Sequence, residues 1–323
     1  MNPRIPVTVV TGYLGAGKTT LVNHLLKQEG IGRVAVIVNE FGDIGLDGTL
    51  IQSGDEELYE LSSGCICCVV RVDLIRTLRA ITEATPKPDR IVIETTGLAN
   101  PSPVIQTFYG DQLLAARCRL DAVVTVADAL HVAAQMSDSD DAVDQLALAS
   151  VILLNKARDA KALEDVEAKI RAVNPFAPIH RIDRGRADPG LVLDTGGFDL
   201  DRVSDLGPPE TNDDHHHDHG PSGITSVTVS TDAPLDADAL EFWLAGYLGV
   251  HGPSILRTKG IIWAAGAQRK LVIQAVHMLL EGDFTTPWDT DGPHQSHMVF
   301  IGRNLNQTEL RDGVLSCRAT ISA

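Results

Sequence analysis

The chain alternates between short runs of β-branched residues and longer stretches with a helical period. "IPVTVV" (5–10), "RVAVIVNE" (33–40), "DRIVIETTG" (89–97), "LDAVVTVAD" (120–128), "SVILLNK" (150–156) and "APIHRID" (177–183) read as buried strands. Between them, "VDLIRTLRAITEA" (72–84) and "LEDVEAKIRAV" (163–173) place apolar residues at helical spacing. Strand and helix in alternation predict an α/β fold, a doubly wound and mainly parallel sheet with helices on both faces. Ligands of such sheets sit beyond the carboxyl ends of the strands. Chemically useful residues stand there: Glu40 and Asp43, Glu94 to Gly97, Asp128, then Asn155 and Lys156.

From about Asp201 the rhythm dissolves into "DRVSDLGPPETNDDHHHDHGPSG", rich in Pro, Gly and charge, which marks a boundary. Beyond it, "GITSVTVSTD", "DADALEFWLAGYLG", "SILRTKGIIWAAG", "KLVIQAVHMLL", "HMVFIGRNL" and "NQTELRDGVLSC" suggest a small sheet with packed helices. The expected organisation is a nucleotide domain over residues 1–200, a His-rich linker over 201–223 and a smaller α+β domain over 224–323. His294, His297, Trp288 and Arg257 of that last domain suit contacts with a partner or the first domain, and suit plain structural roles equally well.

The opening segment carries the most specific chemistry. Gly12 to Thr19 fits G-x-x-x-x-G-K-[ST], with a strand before it and a helix after, which is the phosphate-binding loop in its proper context. Its glycines let backbone N–H groups close around phosphate oxygens, Lys18 adds a point charge, and the Thr19 hydroxyl suits Mg²⁺. Gly12, Gly15, Ala16, Gly17, Lys18, Thr19 and Thr20 are the expected nucleotide contacts. Glu40 or Asp43 in "NEFGD" could complete the Mg²⁺ shell, or merely solvate an acidic loop. Glu94 could hold a magnesium-bound water or position the attacking one, since phosphoryl transfer needs positioning and charge neutralisation; a strand-end cap is the alternative. Gly97 suits a turn whose amide approaches the γ-phosphate. Asp128 could equally be an N-cap for "ALHVAAQM".

"NK" closing a late strand is what a guanine-reading site uses. In the N-K-x-D arrangement the Asn reads the purine edge, the Lys covers the ring and the Asp accepts two hydrogen bonds from guanine. Here Asn155 and Lys156 are followed by Ala157, Arg158 and Asp159. Arg158 occupies the acceptor's place and cannot accept a hydrogen bond. Either Asp159 reaches in through a shifted loop or guanine loses much of its advantage.

Composition narrows the partners. A formal net charge of −16 argues against a binder of nucleic-acid backbones. No signal peptide and no membrane-length apolar run stands in the 323 residues, so the expected setting is cytoplasmic, with no nucleic-acid and no membrane partner. Five cysteines make a poor disulfide scaffold. Cys65, Cys67 and Cys68 nevertheless cluster in "GCICC", and adjacent cysteines rarely bridge each other, so metal ligation or thiol redox chemistry are the natural uses. Cys118 and Cys317 are isolated and read as packing residues. His215, His216, His217 and His219, among Asp213, Asp214 and Asp218, form a tract able to gather Zn²⁺, Co²⁺ or Ni²⁺ weakly, or to serve only as a solvated spacer.

"GYLGAGKTT", "VNEFGD", "GCICC", "IETTGLANPSPV" and "LDAVVTVADALH", in this order, resemble the CobW family of P-loop GTPases, and "LRTKGIIW" with "PHQSHMVFIG" resembles its C-terminal domain. The resemblance implies a GTPase that uses GTP/GDP and Mg²⁺ and delivers a transition metal to a client protein. The metal is Zn²⁺ in most branches, and cobalt or iron in others. It places the phosphate loop at Gly12, Gly15, Gly17, Lys18, Thr19 and Thr20, the metal motif C-x-C-C at Cys65, Cys67 and Cys68, and E-T-T-G at Glu94 to Gly97. Some relatives carry an acidic metal ligand two residues before Glu40; Val38 stands here, which leaves Asp43 as the nearby carboxylate for a thiolate site. "GCICC" lies between the two segments expected to feel the γ-phosphate, so metal and nucleotide can share one conformational change. Two other classes remain: a P-loop phosphotransferase indifferent to the cysteines, and a metal sensor or store with no need for Lys18. Oligomeric state, including a homo-oligomer, stays open.

Overall fold

The apolar runs become the strands of a parallel sheet. A computed structural model of the protein describes residues 4–39, 57–61, 68–198, 200, 223–289 and 294–319. The chain divides into two units, residues 1–169 with 177–197, and residues 170–176 with 198–323.

The first unit opens with β1 (Ile5–Thr11), α1 (Lys18–Leu26), β2 (Val34–Asn39), β3 (Glu57–Leu61), α2 (Cys68–Glu83) and β4 (Arg90–Glu94). It continues with α3 (Ser102–Gly110), α4 (Gln112–Arg117), β5 (Cys118–Asp128), α5 (Val132–Asp138), α6 (Asp140–Leu148), β6 (Val151–Asn155), α7 (Leu163–Val173) and β7 (Ile179–Arg181). The seven strands lie in the order β3-β2-β4-β1-β5-β6-β7. Every neighbouring pair is parallel, so the doubly wound expectation holds. Val10, Val36, Val92, Val124 and Leu153 of the central strands pack with Leu21, Val22 and Leu25 of α1 in one core cluster. α2 starts four residues before the helical stretch read from periodicity, at Cys68, and ends at Glu83, shortly before Pro86. β3 has no counterpart in the sequence reading. It pairs with β2 from Ala35↔Glu57 to Asn39↔Leu61.

In the second unit, β8 (Ile224–Thr231), α8 (Ala237–His251), β9 (Ile255–Ile262), β10 (Arg269–Val276), β11 (Leu279–Pro287), β12 (Ser296–Arg303) and α9 (Gln307–Ser316) follow one another. The strands form an antiparallel sheet in the order β11-β10-β9-β12-β8. Leu240, Leu244 and Leu248 of α8, one turn apart, join Leu310 and Val314 of α9 on the apolar face of this sheet. Asp236 caps α8 by accepting from the Ala239 amide, and Asn306 caps α9 by accepting from Glu309. Gly313 lets α9 close on Trp243: a Cβ there would lie 2.1 Å from Trp243 Cζ2. Within β9, Lys259 is buried 5.7 Å from the centre of the Phe176 ring. Burial, with the Arg257 charge adding to it, holds its ammonium well below the ordinary lysine value.

Candidate nucleotide site

β1 ends at Thr11, and the chain turns through Gly12–Gly17 before α1 opens at Lys18. Gly12, Gly15 and Gly17 sit at φ of 138°, 73° and 107°, where residues with side chains are strained. A Cβ on Gly12 would lie 2.1 Å from the Val126 carbonyl oxygen, and one on Gly17 would lie 2.5 Å from Asn155 Nδ2. Glycine is therefore required at both positions by the flanking strands β5 and β6 as well as by the turn. Ala16 is fully buried, and its carbonyl accepts from Asn155 Nδ2 at 2.8 Å.

Lys18 Nζ donates to the carbonyls of Gly12 at 2.8 Å and Tyr13 at 3.3 Å. Burial lowers its pKa, and the nearby Glu94 charge opposes that shift only in part. An anion entering the loop would restore what burial takes from the ammonium. Thr19 Oγ1 donates to Glu94 Oε1 at 2.6 Å. These hard oxygens, side by side next to a phosphate loop, are a donor set that fits Mg²⁺. Glu94 ends β4 in register with Val10 of β1 and Val38 of β2. The next residue is clasped to β1: the Thr95 amide donates to Val10 O at 3.0 Å, and Thr95 Oγ1 to Thr11 Oγ1 at 2.9 Å.

Gly97 lies against the phosphate loop itself, where a Cβ would meet Leu14 N at 2.7 Å. Gln145 of α6, buried, fixes this turn by donating Nε2 to Gly97 O at 3.2 Å and Ala99 O at 3.1 Å. Asn100 adds a bond to Asp144 Oδ2 at 2.7 Å. Neither Gln145 nor Asp144 belongs to a motif that would mark it in the sequence.

On the other side of the loop, Asn155 uses both ends of its amide. Oδ1 accepts from the Gly185 amide at 3.1 Å while Nδ2 holds Ala16, which leaves one N–H without a partner among the described residues. Lys156, at φ 59°, lays Nζ between Gly15 O at 3.1 Å and Asp128 Oδ2 at 2.6 Å. Asp128 does not cap a helix, since α5 begins at Val132. It accepts instead from Lys156, from the Leu130 amide at 2.9 Å and, with the proton on Nδ1, from His131 at 2.9 Å. Burial pushes its carboxyl up, but these bonds outweigh it and hold the carboxyl below the ordinary range. Thr20 is exposed at the mouth, beside the turn that carries Gly185.

Glu40, Asp43, Cys65, Cys67, His215, His216, His217 and His219 lie outside the described residues. Cys68 opens α2. Because Asn39 and Leu61 end paired parallel strands, the chain leaves both at the sheet edge where Gly12 and Thr95 also begin. Among the described residues no three His, Cys, Asp or Glu side chains gather to hold a metal. Cys118 and Cys317 are free and buried, and burial pushes the Cys118 thiol up to about 11, which suits inert packing residues. In the second unit His294 rests against the rings of Trp263 and Trp288, at 5.2 Å and 5.1 Å, and His297 Nδ1 meets Ser230 Oγ at 2.9 Å. Arg257 lies 4.9 Å over the Phe198 ring. No helix of the described residues is long and apolar enough to cross a membrane.

The description of the CobW/HypB/UreG nucleotide-binding domain matches residues 6–181, and that of the cobalamin synthesis protein cobW C-terminal domain matches residues 224–318. The zinc chaperone YjiA of Escherichia coli (strain K12) is 36% identical over 315 residues, covering 96% of this chain and 98% of that protein. The zinc chaperone CobW of Pseudomonas aeruginosa is 34% identical over 341 residues, 95% of this chain and 90% of its own length. Among solved structures, the Zn(II)-bound YjiA GTPase from E. coli aligns with a TM-score of 0.81 at 32% identity, over 99% of this chain and 100% of that one. With its phosphate loop clasped between Glu94 and Asn155 and with both of its domains matched, the chain belongs to the CobW/HypB/UreG family.

Proposed function

We propose that the protein is a GTPase that binds zinc through Cys65, Cys67 and Cys68 and passes it to a client metalloprotein, with the nucleotide state setting the hold on the metal. One observation carries the reading: Thr19 and Glu94 meet at 2.6 Å, at the sheet edge from which the segments bearing Glu40 and the cysteines depart. The names of the relatives, zinc chaperones for YjiA and CobW, support zinc as the cargo.

In this reading the phosphate loop receives GTP, and Lys18 exchanges its bonds to the Gly12 and Tyr13 carbonyls for phosphate oxygens. Thr19 and Glu40 would hold Mg²⁺, which supplies charge neutralisation along the phosphates. Glu94 positions the water that attacks the γ-phosphorus, and the amide of Gly97 faces the γ-phosphate. GTP and water become GDP and phosphate. Asn155 and Lys156 lie on the base side. Thiolates suit Zn²⁺, and Asp43 or a client ligand would complete a site that must stay exchangeable. The tract His215–His219, in the linker 201–223, gathers metal more weakly. The setting is the cytoplasm.

GTP turnover and GTP affinity of the reduced protein, with and without equimolar Zn²⁺, test this when compared with a variant carrying Ser at Cys65, Cys67 and Cys68. A metal-dependent change that vanishes in the triple variant is the expected result. Linkage requires GTP to alter zinc affinity by the same factor that zinc alters GTP affinity. Equal zinc affinity with and without a nonhydrolysable GTP analogue would sink the coupling.

A further inference from the structure

The base-reading element lacks its acceptor, and the fold offers another. Directly beyond Asn155 and Lys156, a cavity of about 590 Å³ opens between the residues that follow β6 and those that follow β7. Its wall carries Arg158, Arg181, Arg184 and Arg186, and a single acidic side chain among the described residues, Asp183. Arg158 turns its Nε onto Asp183 Oδ2 at 2.7 Å, and its amide points to Oδ1 at 3.4 Å.

The turn that carries Asp183 is fixed to the nucleotide site on three sides. Ile182 continues the ladder with β6, donating its amide to Leu154 O at 2.8 Å and accepting from Ala157 N at 3.3 Å. Two residues after Asp183, the Gly185 amide is bound to Asn155 Oδ1 at 3.1 Å. Gly185 also abuts the start of α1, where a Cβ would stand 3.0 Å from Leu21 N and from Thr20 Cβ. Asp183 is thus tied to the same asparagine that clasps the phosphate loop.

Its rivals are excluded by their bonds or their place. Asp159, next to Arg158 in sequence, is exposed, does not line the cavity, and its carboxylate makes no bond among the described residues that would hold it in place. Asp128 is taken by Lys156, His131 and Leu130. Glu164 and Glu167 are bound to Arg181, and Asp188 to the Gly190 amide. A carboxylate offers about four acceptor sites. Arg158 uses two of those on Asp183 and leaves a pair for a ligand.

We propose that Asp183 supplies the guanine-reading carboxylate that the sequence lacks at position 158, accepting from the base N1–H and 2-amino group, and that Arg158 is its positioning residue. The inference rests on the guanine-nucleotide reading above. An arginine in the acceptor's place then no longer opposes guanine; it holds the substitute acceptor in place.

The test is direct titration of the full-length protein with GDP, IDP, XDP and ADP, for the wild type, Asp183→Asn, Asp159→Asn and Arg158→Ala. Wild type should bind GDP above ADP, and should bind IDP, which lacks the 2-amine, more weakly than GDP. Asp183→Asn should lose roughly 10- to 100-fold in GDP affinity, the scale of one paired base-edge contact. The same variant should gain in XDP affinity, because an amide N–H meets the 2-carbonyl of xanthine. Asp159→Asn should behave as wild type, and Arg158→Ala should lose part of the GDP-over-XDP ratio. A structural role for Asp183 would lower all four affinities in proportion, and that result overturns the proposal. So does a switch to XDP in Asp159→Asn, or equal GDP and IDP binding by the wild type. If the wild type binds GDP and ADP alike, the guanine reading itself fails; if it prefers GDP and Asp183→Asn keeps that preference, only the assignment of Asp183 fails.

Discussion

Asn155 is the residue whose removal is expected to do most damage to the site. Its side chain is 2% exposed and joins two backbone segments, taking the Gly185 amide on Oδ1 at 3.1 Å and giving Nδ2 to Ala16 O at 2.8 Å. Asn155→Ala leaves one buried donor and one buried acceptor unpaired, each costing about 1–3 kcal/mol, or about 2–6 kcal/mol together. That is a large share of the roughly 5–15 kcal/mol that holds a domain folded. Asn155→Asp separates the two bonds. The carboxylate has the same shape and still accepts from Gly185, but it turns an oxygen toward the Ala16 carbonyl where a donor stood.

Urea unfolding followed by circular dichroism, together with GDP and ADP titrations, reads both effects. Asn155→Ala should lower the midpoint by the larger amount at an unchanged m-value. Asn155→Asp should lower it less and weaken GDP and ADP in similar proportion, because the disturbance reaches the nucleotide through the phosphate loop. If either variant keeps wild-type stability and loses only its preference for GDP over ADP, Asn155 is a base reader and the clasp argument is wrong.

Gly97→Ala would place a Cβ 2.7 Å from Leu14 N; overpacking of about 1–3 kcal/mol corresponds to roughly a 5- to 150-fold loss of GDP affinity, read with a fluorescent GDP analogue. Gly15→Ala meets nothing within 4 Å and should lose less, through its positive φ alone. Gly313→Ala drives a Cβ onto Trp243 and should destabilise the second unit by about 1–3 kcal/mol, visible as an earlier tryptophan-fluorescence transition in urea. The folded-state pKa of Asp128 lies below its unfolded value, so its stabilisation is complete above the unfolded carboxylate pKa and is lost as pH falls through the folded one; Asp128→Asn should flatten that acid limb in a stability-versus-pH series. For Lys259 the depressed cation works the other way: wild-type stability should rise as pH climbs from its lowered pKa toward the usual lysine range, and Lys259→Met should abolish the rise while being at least as stable near neutrality.

Local signals in the chain were enough for six of the seven strands of the parallel sheet and for the glycine turn that joins β1 to α1. A buried strand, a glycine turn and a helix start each write their requirement within a few neighbouring residues. The contacts that hold these pieces together span far longer distances. Asn155 reaches back 139 residues to Ala16, and Gln145 reaches 48 to Gly97, so only the order of strands in the sheet brings them near. Asp128 shows the limit well: by sequence a cap for the next helix was as good a reading as a site residue, and the parallel pairing Asp128↔Asn155 is what puts it beside Lys156. β3 was missed because "ELYEL" carries glutamates on a short strand, and its pairing with β2 decides the matter. Asp183 reads only as the polar end of the run "APIHRID", with no spacing rule linking it to Arg158.

Two opposed grips on one loop give the proposed coupling a physical route. Asn155 and Val126 confine the phosphate loop on one side through Gly17, Ala16 and Gly12, while Glu94 and Gly97 confine it on the other through Thr19 and Leu14. The first grip consists of packing and buried backbone bonds, which a nucleotide has no means to rearrange cheaply. The other grip is a hydroxyl on a carboxylate and an ammonium on two carbonyls, groups that phosphates and Mg²⁺ compete for directly. Binding should therefore spend its rearrangement at Glu94. That residue stands in register with Val10 of β1 and with Val38, two positions before Glu40, and its neighbour Thr95 is tied to β1 by two hydrogen bonds. In the proposed coupling, a displacement at the end of β4 is passed to the segment after β2, and the Thr95 tie limits its spread along β1. Weakening the Thr95 tie with Thr95→Val should then reduce the effect of zinc on GTP affinity more than it reduces GTP affinity itself; an unchanged zinc effect would place the coupling elsewhere.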